Sequence, residues 1–339
     1  MGETYPDTTI RPYRPGDETE ILKTFNLVFK EVCGPGYVDR GLDFWRWEFA
    51  QNPRGWRISL AVAADGTVAA QYAGVPLRMS TQFGDTVFVH IVDSFVHPEY
   101  RKGLKKPGLF VESALPWFVE CREKGDGVLY GYPVATAERI GQRYLDYKRL
   151  RVVDYLCREA GSGAVAVPQD VIVERVTEVP RALDALFSAC AQEKKCFVRR
   201  DADYFTWRYV RYPKPPYELW AARRAGVLVG FLVLHPFHEL VPNSCTIADW
   251  LVLESDAAAQ AALLGKTTER ARHHGRATVM AVFGDLSQEA RMLLGAGFAV
   301  VPSGTFLERR LTHRIYHPQM TTEWLTEHWW YTLGDSDLI

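Results

Sequence analysis

The segment Arg101-Lys102-Gly103-Leu104-Lys105-Lys106-Pro107-Gly108 holds the residue types that most directly imply chemistry. Glycines let backbone N–H groups approach a phosphate closely, and a following helix offers its unpaired amides and the positive end of its dipole. Pro107 suits the first turn of such a helix. Arg101, Lys102, Lys105 and Lys106 add charge suited to a phosphate-rich ligand. A second combination lies upstream, where Asp43 and Glu48 stand beside Trp45 and Trp47 and could receive a cationic amine. Asp43 and Trp45 are therefore the candidate substrate-binding residues. The histidines suggest less. His90 and His97 read as structural or solvent-facing, and the pairs His235/His238 and His273/His274 lack the acidic company of a metal site, so no metal is expected. The six cysteines are scattered without a C-x-x-C pair and read as reduced packing residues.

These groups must be held by repeated architecture. Asp43–Pro53 (DFWRWEFAQNP) aligns without a gap on Asp203–Pro213 (DYFTWRYVRYP). Asp43, Trp47 and Pro53 recur as Asp203, Trp207 and Pro213, while Phe44, Trp45 and Phe49 are answered by Tyr204, Phe205 and Tyr209. Gly66 pairs with Gly226 at the same offset, and Ile91-Val92-Asp93 with Ile247-Ala248-Asp249 close to it. The basic glycine segment is not repeated: its counterpart, Leu253 to Ala258, is acidic and lacks glycine. Each half reads in the order β-α-α-β-β-β-α-β-α-β. The first helix follows Pro15-Gly16-Asp17, with Asp17 as its cap. The aromatic helix stops before Pro53, a hairpin turns at Asp65-Gly66, a helix covers Pro107 to Lys124, and Arg151 to Cys157 reads as one strand. Domains are expected at 1–160 and 171–339, joined by a small, polar linker at 161–170.

Length and composition agree. A chain of 339 residues is long for one core but ample for two. With 47% hydrophobic and 24% charged residues and a formal net charge of −1, it lacks the basic excess of a nucleic-acid binder. No apolar run approaches the roughly 18 residues that a membrane span needs, and Met1 to Glu18 carries no signal-peptide core, so a cytoplasmic location is expected.

The element order, with IRPYRPGD at the start and VDSFVHPEYRKG at the fourth strand, resembles the GNAT superfamily of acyl-CoA-dependent N-acetyltransferases. The resemblance extends to Ser287–Val301, which looks like the family's last helix and strand in the second half. It implies an α/β fold of two tandem GNAT-like domains, each a mixed, mostly antiparallel sheet flanked by helices. The family motif Q/R-x-x-G-x-G/A is met at Arg101, but what looks like a three-residue insertion leaves Gly103 or Gly108 to supply the glycine. On this resemblance Arg101, Lys102, Gly103, Lys106 and Gly108 bind the pyrophosphate and 3′-phosphate of acetyl-CoA or another acyl-CoA. The backbone of Phe95 and Val96 meets the thioester oxygen. Asp93 is the expected base toward a small-molecule or peptide amine. Leu145 stands where the family's thiolate-protonating tyrosine sits, with Tyr144 and Tyr147 beside it; Tyr144 is the expected acid. Two other readings stay open: a Fem-like transferase fed by aminoacyl-tRNA, and a non-catalytic acyl-CoA sensor or assembly subunit.

Overall fold

A computed structural model describes residues 8–101, 107–163, 168–214, 217–238 and 240–337. Its contacts divide into two units. The first gathers Met1–Arg78, Thr86–Arg149 and Thr312–Pro318; the second gathers Met79–Asp85, Leu150–Leu311 and Gln319–Ile339. The expected boundary at 160 is thus replaced by interleaved segments.

The first unit opens with β1 (Thr8–Pro12) and α1 (Glu18–Cys33). The Asp17 carboxylate takes Arg11 at 2.7 and 2.8 Å and makes no side-chain cap to α1. Next come α2 (Leu42–Trp45), β2 (Arg57–Ala63), β3 (Val68–Thr81), β4 (Gly84–Val96), α3 (Leu109–Glu123), β5 (Val128–Gly131) and α4 (Ala135–Tyr144). Gly66, at the hairpin between β2 and β3, has φ +91°, a conformation that glycine adopts without steric cost. The helix α2 runs into a π turn at Arg46–Ala50. Such bulges recur at functional sites.

The chain then makes β6 (Lys148–Val152), β7 (Tyr155–Glu159), β8 (Ile172–Val176), α5 (Leu183–Glu193), β9 (Cys196–Val198) and α6 (Ala202–Phe205). A π turn at Thr206–Val210 again follows α6. The remaining elements are β10 (Glu218–Arg224), β11 (Val227–His235), β12 (Ser244–Val252), α7 (Ala257–His273), β13 (Thr278–Ala281), α8 (Gln288–Gly295), β14 (Ala299–Val301), β15 (Arg310–Ile315) and α9 (Thr322–His328).

In the first unit the strand order is β1-β2-β3-β4-β5-β15, with β4 and β5 parallel and β15 antiparallel to β5. In the second the order is β14-β7-β13-β12-β11-β10-β8, with β12 and β13 parallel and β7 antiparallel to β13. Corresponding places beside β5 and β13 are therefore filled by β15 and β7, each drawn from the far part of the sequence. The run Arg151–Cys157, read as one strand, breaks at Val153-Asp154. There the Val153 amide donates to the Arg309 carbonyl (2.8 Å) and the Asp154 carboxylate accepts from the Ser303 amide (2.8 Å).

The first core lies between α3 and the sheet, where Trp117, Phe118 and Val111 pack on Tyr72, Val89, Leu129, Leu145 and Tyr147. Burying each large side chain of this kind stabilises by roughly 1.5–3 kcal/mol. The aromatic C-terminal segment packs in the second unit. The Trp330 indole donates to Glu289 (2.8 Å), and the Trp330 amide donates to the Cys196 carbonyl (2.8 Å). Among the described residues no helix is long and apolar enough to cross a membrane, and no cluster of His, Cys, Asp and Glu could hold a metal ion.

Candidate functional site

In the first unit β4 runs on to Val96, whereas its pairing with β5 stops at Ile91 opposite Gly131. Two parallel strands that part in this way leave backbone amides along the gap without a ladder partner from the strand that has left. The helix α3 follows. Its N-cap, Gly108, is extended (φ −97°, ψ −177°) and supplies no side-chain cap to the first turn. Arg101 lies between these features: its Nε donates to the Val96 carbonyl (3.0 Å) and its guanidinium pairs with Glu31 (3.0 Å). Lys102, Gly103 and Lys106 lie outside the described residues.

The second unit treats the same place differently. Asp256 caps α7 by accepting from the Ala259 amide (3.0 Å), and Arg224 binds the same carboxylate at 2.8 and 2.9 Å. The Arg224 hydrogen bonds, helped by the Ala259 amide, outweigh burial and hold the Asp256 carboxyl below its ordinary range. An anion of the chain itself thus sits at the start of α7, whereas Gly108 supplies no side-chain cap to α3.

Asp93 marks an irregularity in β4. Its φ of +51° is uncommon for a non-glycine residue. Its carbonyl accepts from Gln71 (2.9 Å), and its carboxylate is ion-paired with Arg40. Arg40 also reaches Glu48 (3.2 Å) and lies over the rings of Phe25 (4.2 Å) and Phe44 (4.4 Å). The second unit repeats the pair: Arg200 binds Asp249 at 2.7 Å, and Asp249 also accepts from Tyr209 (2.7 Å). Arg40 escaped the sequence reading, although extending the repeat offset upstream from Asp43/Asp203 aligns it with Arg200.

Phe95 is buried and meets Phe25 edge-on at 6.1 Å, while Val96 packs toward Ala69, Ala70 and Leu109. Tyr144 ends α4, half-buried against the first core, with Arg143 over its ring at 5.2 Å. Tyr147 takes the opposite course. It is buried, its hydroxyl is bonded to Tyr72, and burial pushes that hydroxyl's pKa up.

Asp43 and Trp45 are not brought together. The Asp43 carboxylate is 87% exposed, with Arg46 at 3.9 Å, whereas Trp45 is 3% exposed and packs on Tyr13 and Phe49. Residues two apart on a helix face different ways, so this pair makes no amine-receiving wall.

No family model matches the chain, and no curated protein matches it. Solved structures do. The chain is similar to a probable N-acyltransferase of Enterococcus faecalis V583 (TM-score 0.67, 13% identity, 94% of this chain and 74% of that one). A GCN5-related N-acetyltransferase from Anabaena variabilis gives a TM-score of 0.65 at 13% identity, over 91% and 73% of the two chains. A tandem GNAT protein from the clavulanic acid biosynthesis pathway gives 0.56 at 14% identity, covering 93% of this chain and all of that one (100%). The fold is that of a tandem GCN5-related N-acetyltransferase.

Proposed function

We propose that the chain is an acyl-CoA-dependent N-acyltransferase that moves an acetyl group from acetyl-CoA to a primary amine of a small molecule or peptide, in its first unit. The observation that carries this reading is the contrast between the two helix starts: Gly108 leaves the first turn of α3 without a side-chain cap, whereas Asp256 fills that of α7. Anionic phosphates are favoured at an open helix N-terminus. Arg101, with Lys102, Gly103, Lys106 and Gly108, would hold the phosphates. The backbone amides of Phe95 and Val96 would meet the thioester oxygen as negative charge grows on it. Tyr144 would protonate the leaving thiolate.

Asp93 takes a different part from the one its sequence position suggests. Its carboxylate is committed to Arg40, and the equivalent Asp249 is committed to Arg200 in the unit whose helix start is filled. We assign Asp93 to holding the irregular turn of β4 that presents Phe95 and Val96.

Isothermal titration with acetyl-CoA should give one site per chain, and a thiol-release assay across amines should give turnover. Two sites, or none, would overturn the assignment. Binding without turnover on any amine would favour the sensor reading.

A further inference from the structure

Titratable groups form a row across three strands of the first unit. His90 on β4 is the paired neighbour of Tyr130 on β5, and Tyr130 is the paired neighbour of His313 on β15. Directly paired residues point to the same face of a sheet. The rings of His90 and Tyr130 stack with centroids 4.7 Å apart and planes at 10°. Their face is the one turned away from α3, since the alternate residues Val89 and Leu129 pack with Trp117. It is also the face of Phe95, which meets Phe25 of α1, and of Asp93, which meets Arg40. Tyr132, half-buried just beyond β5, approaches His90 edge-on at 5.9 Å. The row therefore begins next to the last paired residues of β4 and β5, where the two strands part.

The second unit provides an internal control. The matching row is Thr246, Met280 and Cys157, by the same pairings of β12 with β13 and of β13 with β7. None of these side chains exchanges protons readily at neutral pH, and burial pushes the Cys157 thiol up to about 11. The fold thus packs this position without a ring, so packing alone does not call for two imidazoles and a phenol. They occur in the unit whose helix α3 takes no side-chain cap from its N-cap residue.

We propose that His90 accepts the proton released by the acceptor amine, and that Tyr130, stacked on its ring, and His313, the neighbour of Tyr130 on β15, fix the place of the imidazole. This rests on the acyl-transfer reading. In the step, the neutral amine nitrogen forms a bond to the thioester carbon and the C–S bond breaks with its electron pair on sulfur. One amine proton goes to His90, and the thiolate takes a proton from Tyr144, which solvent restores. His90 touches the reacting amine; Tyr130 and His313 are positioning residues. The strand β15 carries His313 into the first unit from near the end of the chain.

The test uses the full chain with acetyl-CoA, following thiol release with amines and, without amines, with water as acceptor. His90→Gln should leave acetyl-CoA affinity within about twofold by calorimetry and lower kcat at least about 100-fold. Tyr130→Phe and His313→Gln should each lower kcat about 10-fold, and the double variant should be no slower than either, as expected of groups acting in one series. If His90→Gln does not melt cooperatively, His90→Thr places the second unit's residue there and serves instead. A folded His90 variant with wild-type kcat, or additive losses in the double variant, overturns the proposal and leaves the cofactor site standing. Acetyl-CoA binding by the wild type with no thiol release under any condition overturns it as well. Failure of the wild type to bind acetyl-CoA overturns the acyl-transfer reading itself.

Discussion

Arg40 and Asp93 stand in the first unit as Arg200 and Asp249 stand in the second, one ion pair kept in both copies while its surroundings diverge. Arg200 is fully buried between Asp249 (2.7 Å) and Asp335 (2.6 Å), and burial pushes the Asp335 carboxyl up. Removing the cation leaves two buried carboxylates facing one another. Arg200→Met should therefore cost about 3–5 kcal/mol. Asp249→Asn, which leaves Arg200 with Asp335, should cost about 1–3 kcal/mol. In the first unit Asp93→Asn should cost less than Arg200→Met, because Arg40 keeps Glu48 and is partly exposed. Urea unfolding of the three variants checks the order. Thiol release by Asp93→Asn should fall while acetyl-CoA affinity holds.

On the proposed function, Arg101 would let go of Glu31 to meet a phosphate. The pair is exposed on both sides, so its own strength is small, about 0.2–1 kcal/mol. Glu31→Gln should tighten acetyl-CoA by up to about fivefold by freeing Arg101. Arg101→Glu should weaken it at least about 10-fold. Both effects should shrink in about 0.5 M salt, where exposed charges are screened. Titration calorimetry at two salt concentrations is the measurement.

Gly141 lies against Tyr147, and a β-carbon there would run into the Tyr147 ring. The ring is pinned, since its hydroxyl is bonded to Tyr72 in the core beneath α3. Gly141→Ala should destabilise by about 1–3 kcal/mol through overpacking. Tyr147→Leu should recover part of that loss when combined with it, which a double-mutant cycle in urea would detect.

His235 gives the second unit an acid-sensitive point. Burial, with His238 and Arg276 nearby, lowers its pKa from 6.5 to about 4. The unfolded chain therefore binds this proton more readily than the folded one. The contribution of neutral His235 is complete above about pH 6.5 and is lost as pH falls toward 4. The melting temperature of the wild type should drop over that window, and His235→Gln should flatten the drop. An equal drop in the variant would assign it to other groups.

Much of the fold is legible because its signals are local. The aromatic turn, the Asp65-Gly66 hairpin and the Pro107–Gly108 helix start each depend on residues close in sequence. Arg40 was legible too, since the repeat that relates Asp43 to Asp203 also relates Arg40 to Arg200. The destination of Tyr155–Glu159 was not. Alternation of apolar residues identifies a strand and its buried face, but the choice of sheet is made by distant partners. For the same reason His313 carried no signal, because its neighbour Tyr130 lies far earlier in the chain. Trp45 misled for an opposite reason: an aromatic beside a carboxylate reads as a receptor, while helix geometry turns the two apart.

The placement of β15 beside β5 imposes an order on the birth of the protein. A ribosome releases the N-terminus first, so β1 to β5 emerge well before the strand that flanks β5 exists. Until Thr312–Pro318 leaves the exit tunnel, the first sheet keeps an open edge at Val128–Gly131. Open edges of this kind invite pairing with other chains. The unit that emerges first is thus the one that must wait, and a fragment ending at Gly161 would carry β7 without β13 and β5 without β15. Supplying such a fragment with a peptide spanning Arg310–Pro318 should close the β5 edge and lessen its aggregation.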